Sequence, residues 1–285
     1  MNQQRTAVVT GASSGIGRGA VKVLAANGFH VFGSVRRESD GQKLAAEFGD
    51  SFTPLLFDVT DEAAVRRGAE QVRAALGGRR LGGLVNNAGI ALAGPLANIP
   101  LDVFRRQLEV NLTGVLIVTQ AFLPLLGSDP DLKGAPGRIV NIGSVGGRHA
   151  FPFMGPYHVS KYGLEGFTES LRRELMLFGV DATLIAPGTV TTEIWGKADA
   201  VDYSIYDNTP YRSAVQTMRK AVASVARGGL PPERIGEAIL KQLTAKKPPV
   251  YRRVTPQPVT FFLMTSLPKR LIDGVVAKRM GLVKK

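Results

Sequence analysis

The chain has 285 residues, of which 44% are apolar, with no cysteine and a formal net charge of +13. This apolar content supports a sizeable core and excludes a disordered chain, and the lack of cysteine excludes disulfides, thiol catalysis and cysteine-ligated zinc. The three histidines, His30, His149 and His158, lack the paired spacing of metal ligands, so we expect no metal site. For His149 and His158 we expect packing or surface roles.

Short apolar and β-branched runs alternate with helical stretches, which is typical of a parallel sheet built from βαβ units. The predicted strands are Thr6–Thr10, His30–Val35, Phe52–Phe57, Leu84–Asn86, Arg138–Gly143, Asp181–Ala186 and Val250–Val254. The predicted helices are a first one ending at Asn27, then Gln42–Phe48, Asp61–Leu76, Leu101–Leu126, Tyr157–Phe178 and Pro232–Ala245. We therefore predict an α/β fold, a Rossmann-type doubly wound parallel sheet of about seven strands flanked by helices.

Between the first strand and its helix, residues 10–17 read TGASSGIG. Glycines at these positions let the backbone turn tightly and approach a pyrophosphate, which then lies on the N-terminus of the helix. A glycine-rich loop without a ligand is the alternative. Because the turn follows a strand and opens a helix, we favour dinucleotide binding.

Tyr157 and Lys161 are four residues apart in a predicted helix, so their side chains share one helix face. A tyrosine with the usual pKa of ~10 is a poor base at neutral pH, and lowering its pKa to ~7 requires about 4 kcal/mol of preferential stabilisation of the phenolate. A nearby ammonium and a positive nicotinamide ring supply such stabilisation. Many surface helices carry the same spacing, so the pair alone leaves a non-catalytic interpretation open.

Several elements, in the same order along the chain, resemble the motifs of the short-chain dehydrogenase/reductase family. They are the Gly-x3-Gly-x-Gly turn after Thr10, the Asn86-Asn87-Ala88-Gly89 element, Asn111, Ser144, the Tyr157-x3-Lys161 pair and the Pro187-Gly188 turn. The resemblance spans roughly residues 5 to 195. It is greatest to the retinol and hydroxysteroid dehydrogenase-like members, and it implies the same fold and an oxidoreductase activity.

The resemblance assigns the chemistry to four residues. Tyr157 would transfer the proton to or from the substrate oxygen, and Ser144 would hydrogen-bond that oxygen. Lys161 would hold the nicotinamide ribose and lower the pKa of Tyr157. Asn111 would position a proton-relay water, with a helix-bending asparagine as the alternative.

We expect NADP(H) to be preferred over NAD(H). In place of the acid that binds the 2′-hydroxyl of NAD, strand two ends with Arg36 and Arg37, which favour a 2′-phosphate. Two solvated surface arginines are the alternative. The predicted cofactor-binding residues are Gly11, Ser13, Ser14, Gly15, Ile16, Gly17, Arg36, Arg37, Asp58, Val59, Asn87, Ala88, Gly89, Tyr157, Lys161, Pro187, Gly188, Val190 and Thr192.

The segment Thr192–Arg227 lies where the family places its substrate loop. The apolar and aromatic residues that would line a pocket are Ile194, Trp195, Tyr203, Ile205, Tyr206 and Tyr211, with Val145 and Phe151–Met154 as further walls. We predict hydride transfer between NADP(H) and a primary or secondary alcohol or carbonyl of a small hydrophobic substrate such as a lipid, steroid, retinoid or ketone. The alternatives are packing of these residues onto the domain, a polar substrate such as a sugar or an acyl-carrier ketone, and a non-catalytic NADP-binding protein.

The proline-marked stretch Thr255–Pro258 divides a predicted catalytic domain, residues 1–254, from a C-terminal extension, residues 255–285. Ten Lys or Arg residues but a single acid, Asp273, lie between Lys246 and Lys285. The pattern of basic and apolar residues in this extension predicts a basic amphipathic helix. Such a helix packs on the domain, packs on a second subunit, or contacts a membrane surface. Because the charge is concentrated in the tail, we expect no nucleic-acid partner.

No secretory signal is apparent near the N-terminus, and no segment reaches the ~20 apolar residues of a membrane span. We expect a cytoplasmic protein, with peripheral membrane contact as the further option. The helices predicted over residues 101–126 and 157–178 resemble those through which the family dimerises, which implies a homodimer or homotetramer.

Overall fold

The computed structural model describes residues 5–193 and 202–283, and these form a parallel sheet with helices on both faces. The strands are β1 Arg5–Val9, β2 Phe29–Val35, β3 Phe52–Leu56, β4 Gly83–Asn86, β5 Arg138–Ile142, β6 Asp181–Pro187 and β7 Tyr251–Val254. The longer helices are α1 Gly15–Ala26, α2 Glu38–Phe48, α3 Glu62–Leu76, α4 Leu101–Leu108, α5 Gly114–Leu123, α6 Gly155–Glu174, α7 Arg212–Arg227, α8 Pro232–Thr244, α9 Pro258–Ser266 and α10 Lys269–Met280. Strands and helices therefore alternate much as the hydrophobic pattern predicts.

The strand order within the sheet is β3-β2-β1-β4-β5-β6-β7, and every neighbouring pair is parallel. From β1 the chain runs outward to β3, then returns to place β4 on the other side of β1. This reversal opens a crevice at the carboxyl ends of β1 and β4, where open α/β sheets bind ligands. The predicted Rossmann-type doubly wound sheet of about seven strands is confirmed.

The core has two layers, one on each face of the sheet. On one face α3 and α5 pack around buried side chains that include Val72 and Phe122. On the other face α1 and α8 pack around Leu24 and Ile239. Because both faces are covered, the inner part of the central strand β1 is a continuous apolar run, and Ala7–Val9 is fully buried. The sheet therefore gives the crevice a rigid floor.

Two helices begin earlier than the sequence predicts. α2 begins at Glu38 rather than Gln42, because Glu38 and Asp40 place negative charge at the positive end of the helix dipole. α6 begins at Gly155 rather than Tyr157, and a proline lies in its first turn, where a missing N–H breaks no helical hydrogen bond.

The long central helix is interrupted and more apolar than expected. It runs over Leu101–Ser128, with π-helical turns at Glu109–Thr113 and Pro124–Ser128. Its 28 residues have a mean hydropathy of 1.7 in the most apolar window, which suffices by length and composition to cross a membrane. The expectation that no segment reaches this limit was therefore wrong. Half of that window is buried inside the domain, because the helix packs against α3 and the sheet.

The described part of the C-terminal extension forms α9 and α10, which lie against the domain. Met280 and Leu282 pack on a buried cluster that contains Phe153, Tyr203 and Tyr206. The division into a domain of residues 1–254 and an extension of residues 255–285 stays a prediction.

Candidate active site

A cavity of about 880 Å³ opens at the carboxyl edge of the sheet, at the reversal point between β1 and β4. The loops after β1, β2, β4, β5 and β6 all contribute to its walls. The predicted site residues that line it are Gly11, Ser13, Ser14, Gly15, Ile16, Arg36, Asp58, Val59, Asn87, Ala88, Gly89, Ser144, Tyr157, Lys161, Pro187, Gly188, Val190 and Thr192. Gly17, Arg37 and Asn111 are not among the lining residues.

The glycine turn leaves no room for larger side chains. Gly11 and Gly15 have φ angles of 66° and 53°, in the left-handed region that favours glycine. A Cβ on Gly17 would lie 2.1 Å from the carbonyl oxygen of Gly11, so Gly17 permits the close approach of α1 to the turn without facing the cavity itself. Ser14 caps α1 without a side-chain hydrogen bond, so the first N–H groups of the helix remain available to an anion. The turn therefore fits a pyrophosphate.

Thr10 and Asn87 join the glycine turn to the loop after β4. The Oγ1 of Thr10 accepts hydrogen bonds from the backbone N–H groups of Asn87 and Ala88, at 2.9 and 3.0 Å. In return, the side-chain amide of Asn87 donates to the carbonyl oxygen of Thr10 at 2.8 Å. These bonds hold together the loops after β1 and β4, which form the two walls of the crevice at the point where the strand order reverses.

Arg36 and Arg37 point in different directions at the end of β2. Arg36 lines the cavity and lies 3.9 Å from the carboxylate of Asp58, which also accepts hydrogen bonds from the backbone and hydroxyl of Thr60. Arg37 instead makes a two-pronged contact with Asp40 at 2.9 and 3.1 Å, on the outer side of α2. Of these two arginines, Arg36 is the one that lines the cavity.

Ser144 and Tyr157 come together from β5 and α6. The Oγ of Ser144 accepts a hydrogen bond from the backbone N–H of Gly146 at 3.0 Å, which orients the serine at the start of a short 3-10 turn. Burial raises the pKa of Tyr157, and a hydrogen bond with Ser144 acts in the opposite direction. Burial dominates, so the phenol keeps its proton at neutral pH.

Lys161 is buried one helical turn after Tyr157. Its Nζ donates to the carbonyl oxygen of Ile142 at 2.8 Å and lies 5.8 Å from the ring centroid of Tyr157. Burial lowers the pKa of Lys161 to about 8. An ammonium held this way has two further N–H groups to offer to a ribose.

Burial has the larger effect on the pKa of Tyr157, which it raises. The apolar surroundings that bury the phenol disfavour its anion, and burial also weakens the neighbouring lysine as a cation. The chain's own groups therefore favour the neutral tyrosine, which is a proton donor. That Lys161 lowers the pKa of Tyr157, as the resemblance implies, stays a prediction.

Asn111 is buried in the π-helical turn Glu109–Thr113, with all its amide hydrogens engaged. Its Oδ1 accepts from the backbone N–H of Ile90, and its Nδ2 donates to the Ile90 carbonyl at 3.1 Å and to the Oγ of Ser160 at 3.0 Å. Asn111 thus ties the loop after β4 to α6. Its role toward a relay water stays a prediction.

His158 is a supporting residue that sequence reasoning treated as packing or surface. It is buried, its Nδ1 lies 2.8 Å from the carbonyl oxygen of Gly146, and its Nε2 accepts from the backbone N–H of Phe151 at 3.0 Å. These two bonds require a neutral imidazole with the proton on Nδ1. Its place next to Tyr157 could have drawn attention to it, but its two partners lie in the loop after β5.

A buried amide network, also missed, joins β4, β5 and the helices on one face. The Nδ2 of Asn86 donates to Thr119 and to the Oδ1 of Asn141, whose own Nδ2 donates to Thr168 at 2.9 Å. Two features of the sequence could have predicted this network. One is the Asn-Asn element, and the other is Asn141 in the middle of an apolar strand, because a buried asparagine needs hydrogen-bond partners.

Most of the described aromatic residues of the predicted substrate segment pack against the domain and do not line the cavity. Tyr203 and Tyr206 are buried in a cluster with Phe153 and Met218 beneath the cavity wall, and Ile205 is exposed. From this segment the lining residues include Met218 and Ala221. The predicted wall residues Ile194 and Trp195 lie outside the described residues.

Comparisons with known proteins show similarity at the level of family and fold. The short chain dehydrogenase family matches residues 5–202. The NADPH-dependent 3-dehydrocapnine reductase of Ornithobacterium rhinotracheale is 38% identical over 275 residues, 96% of each chain. The 17-beta-hydroxysteroid dehydrogenase type 6 of Bos taurus is 36% identical over 211 residues, 73% of this chain and 64% of the relative. A solved short chain dehydrogenase/reductase from Burkholderia phymatum, in complex with NAD, covers 96% of this chain and 95% of its own at 23% identity, with a TM-score of 0.79.

The family description and the reductase relative show that the chain is an oxidoreductase. The chain belongs to the short-chain dehydrogenase/reductase family. The predicted family, including its similarity to hydroxysteroid dehydrogenase-like members, is confirmed.

Proposed function

We propose that this chain is an NADP(H)-dependent reductase that converts a ketone or aldehyde of a hydrophobic substrate into the alcohol, with Tyr157 as the proton donor. The observation that carries the proposal is the convergence of Ser144, Tyr157 and Lys161 with the glycine turn on one cavity. A bound nicotinamide would supply the hydride. The protein supplies the proton and holds the substrate oxygen.

Tyr157 donates its phenolic proton as the carbonyl oxygen gains negative charge. The Oγ of Ser144 accepts from the Gly146 N–H, and its own hydrogen, which bonds to Tyr157, can turn to donate to the same oxygen. The pKa of Tyr157 is raised by burial, so the phenol carries the proton that reduction requires at neutral pH. The ammonium of Lys161 then stabilises the phenolate that remains.

The preference for NADP(H) rests on Arg36. Its exposed guanidinium lines the cavity at the end of β2, where a carboxylate would repel a 2′-phosphate. The NADPH dependence of the Ornithobacterium relative supports the same choice. The Burkholderia structure with NAD indicates that the fold itself accommodates either cofactor.

A hydrophobic substrate is supported by the side chains beyond the cofactor turns. The apolar lining residues in this part are Phe151, Met154, Met218, Phe261, Met264, Val276 and Met280. They come from the loop after β5, from α7 and from the two helices of the extension. A sugar or an acyl-carrier ketone would require more polar partners along the same walls.

We further propose a cytoplasmic homodimer or homotetramer. Leu116 on α5 and Val159 and Tyr162 on α6 are large apolar side chains exposed on the helices through which the family dimerises. Their burial by a second copy would remove that surface from water. Light scattering of the purified protein tests the assembly.

The experiment that tests the reductase proposal compares Tyr157→Phe with Tyr162→Phe, a change on the same helix outside the cavity. Consumption of NADPH is followed with ketones of increasing chain length. We expect Tyr157→Phe to lower turnover about 10²–10⁴-fold, because this is what proton donation by a positioned side chain contributes, with NADPH affinity retained in a fluorescence titration. Turnover retained in Tyr157→Phe, with Tyr162→Phe unchanged, contradicts the proposed role.

A further inference from the structure

The two helices of the C-terminal extension each have two different sides. Toward the domain, Phe261 and Met264 of α9 and Val276 and Met280 of α10 form part of the cavity wall. The exposed apolar residues of this extension are Val259, Phe262 and Leu263 on α9, Leu267 in the connection, and Leu271 and Val275 on α10. Val275 also lines the cavity, so it lies at the rim where the two sides meet. We call these six residues the outer apolar surface.

The spacing makes this surface continuous along each helix. Val259, Phe262 and Leu263 are at positions i, i+3 and i+4, and Leu271 and Val275 are at i and i+4, so each set forms one stripe. Val259 and Phe262 are 68% and 62% exposed. Single exposed apolar side chains are normal on a protein surface, but neighbouring ones that form a patch indicate an interaction site. The domain already occupies the inner sides of these helices, so the outer stripes need another partner.

The charges around the outer apolar surface are almost all positive. α9 contains no charged residue, and α10 exposes Lys269, Arg270, Lys278 and Arg279 against one acid, Asp273. None of the four cations is ion-paired within the part of the chain that the structure describes. Apolar stripes bordered by unpaired cations are suited to the interface of a bilayer with anionic headgroups.

A second copy of the chain is a poorer occupant. A twofold contact through this surface would bring Lys269 and Arg270 of each copy toward the same cations of the other, which is unfavourable. The exposed apolar side chains on α5 and α6 offer a second copy a surface without this repulsion. A bilayer with anionic lipids instead neutralises the cations while it covers the apolar stripes.

We propose that the outer apolar surface docks the enzyme on an anionic lipid bilayer, so that a membrane-dissolved carbonyl substrate enters the cavity without crossing water. Because α9 and α10 also form the cavity wall, docking brings that wall to the lipid surface. The substrate part of this proposal rests on the proposed reductase function, whereas docking itself does not.

The first experiment measures sedimentation of the full chain with vesicles of phosphatidylcholine, with and without phosphatidylglycerol. We expect the protein to sediment with the anionic vesicles and to be released by salt. Lys269→Glu/Arg270→Glu should weaken partitioning at least about twenty-five-fold, since each basic residue near the surface contributes about fivefold. Phe262→Asp/Leu263→Asp should abolish it.

The matched control is Met176→Asp/Leu177→Asp, which removes an apolar pair at least as exposed, beside the C-terminal end of α6. This variant should sediment as the unchanged chain does. Equal soluble fractions for the unchanged chain and Phe262→Asp/Leu263→Asp overturn the proposal. So does a loss of dimer in that variant, on size-exclusion chromatography, without any vesicle binding.

The second experiment separates docking from catalysis. A short water-soluble ketone and a long-chain ketone dissolved in the vesicles are each offered with NADPH. We expect Phe262→Asp/Leu263→Asp to reduce the soluble ketone at the normal rate and the vesicle-bound ketone at least about tenfold more slowly. If the unchanged chain reduces neither ketone, the reductase function fails while sedimentation still reports docking; equal rates on vesicle-bound ketone contradict delivery through the bilayer.

Discussion

Two sides of the site hold their charges differently: the side around Arg36, where we propose that the adenosine binds, and the side around Lys161, which we propose is catalytic and call the catalytic side. Arg36 and Arg37 are 67% and 76% exposed and pair with carboxylates at the surface. Lys161 is only 8% exposed, and its ammonium is bonded to a backbone carbonyl rather than to an acid. Exposed pairs contribute little to stability, whereas a buried unpaired ammonium costs several kcal/mol. A change at Arg36 can therefore alter cofactor selectivity without affecting the stability of the fold. A change at Lys161 should alter both catalysis and stability.

Replacing Lys161 tests this contrast with the largest expected effect. Lys161→Met should lower turnover at least about a thousandfold while it raises the free energy of unfolding at pH 7 by about 1–2 kcal/mol. The lowered pKa of Lys161 corresponds to a destabilisation of roughly 3 kcal/mol, and the Ile142 carbonyl left without its donor offsets part of the gain. Urea unfolding and NADPH consumption measure the two quantities.

The pH dependence of stability tests whether the buried ammonium of Lys161 causes the destabilisation. With a pKa of about 8 in the folded protein and the usual lysine pKa of 10.5 in the unfolded chain, Lys161 binds fewer protons folded than unfolded between these values. Its contribution to stability therefore rises as pH increases from about 8 to about 10.5, and below about 8 its full penalty applies. The Lys161→Met variant should lack this rise. Lys43→Met, at an exposed lysine, is the control; a less stable Lys161→Met variant is the contrary result.

Replacing Arg36 should change selectivity alone. Arg36→Asp should shift the ratio of kcat/KM for NADPH and NADH about a hundredfold toward NADH, because a charge-assisted contact with phosphate is replaced by repulsion. Arg37→Asp is the matched control, since Arg37 contacts Asp40 outside the cavity, and it should change the ratio only a few-fold. Tm should move little in either variant. An equal shift from both would show that the arginines act through their net charge.

Much of the site could be predicted because its signals are local in the sequence. The spacing of Gly11, Gly15 and Gly17 after a strand indicates a phosphate-binding turn, and the spacing of Tyr157 and Lys161 places them on one helix face. The alternation of apolar runs and helices likewise predicts the sheet. In each of these cases the physical requirement involves residues within one turn or one element.

What could not be predicted depends on partners distant in the chain. The bonds of Asn111 to Ile90 and Ser160, and of Lys161 to the Ile142 carbonyl, form only when β4, β5 and α6 are assembled. The direction of the Tyr157 pKa has the same origin, since it depends on burial by several elements. An apolar helix such as Leu101–Ser128 has a composition that suits either a core or a membrane, and only its packing decides.

Replacing His158 should have the smallest effect on turnover among these changes. It tests whether residues behind the cavity wall contribute to the catalytic side. Its neutral imidazole joins Gly146 and Phe151, the two ends of the loop that follows Ser144. His158→Ala leaves a buried donor and a buried acceptor without partners, so the loop should loosen. Because Gly146 also orients the Ser144 hydroxyl, we expect kcat to fall about tenfold with the KM for NADPH unchanged.

The pH dependence of stability distinguishes the bridging imidazole from simple packing. Burial lowers the pKa of His158 below its usual value of 6.5, so the folded protein binds fewer protons there than the unfolded chain. Stability should therefore fall as pH decreases below about 6.5, and His158→Ala should reduce the slope. His149→Ala is the control, because burial lowers the pKa of His149 also, but its buried Nε2 has no hydrogen-bond partner among the described residues. We expect that control to reduce the slope and spare kcat; a normal kcat in His158→Ala would limit the catalytic side to the residues that line the cavity.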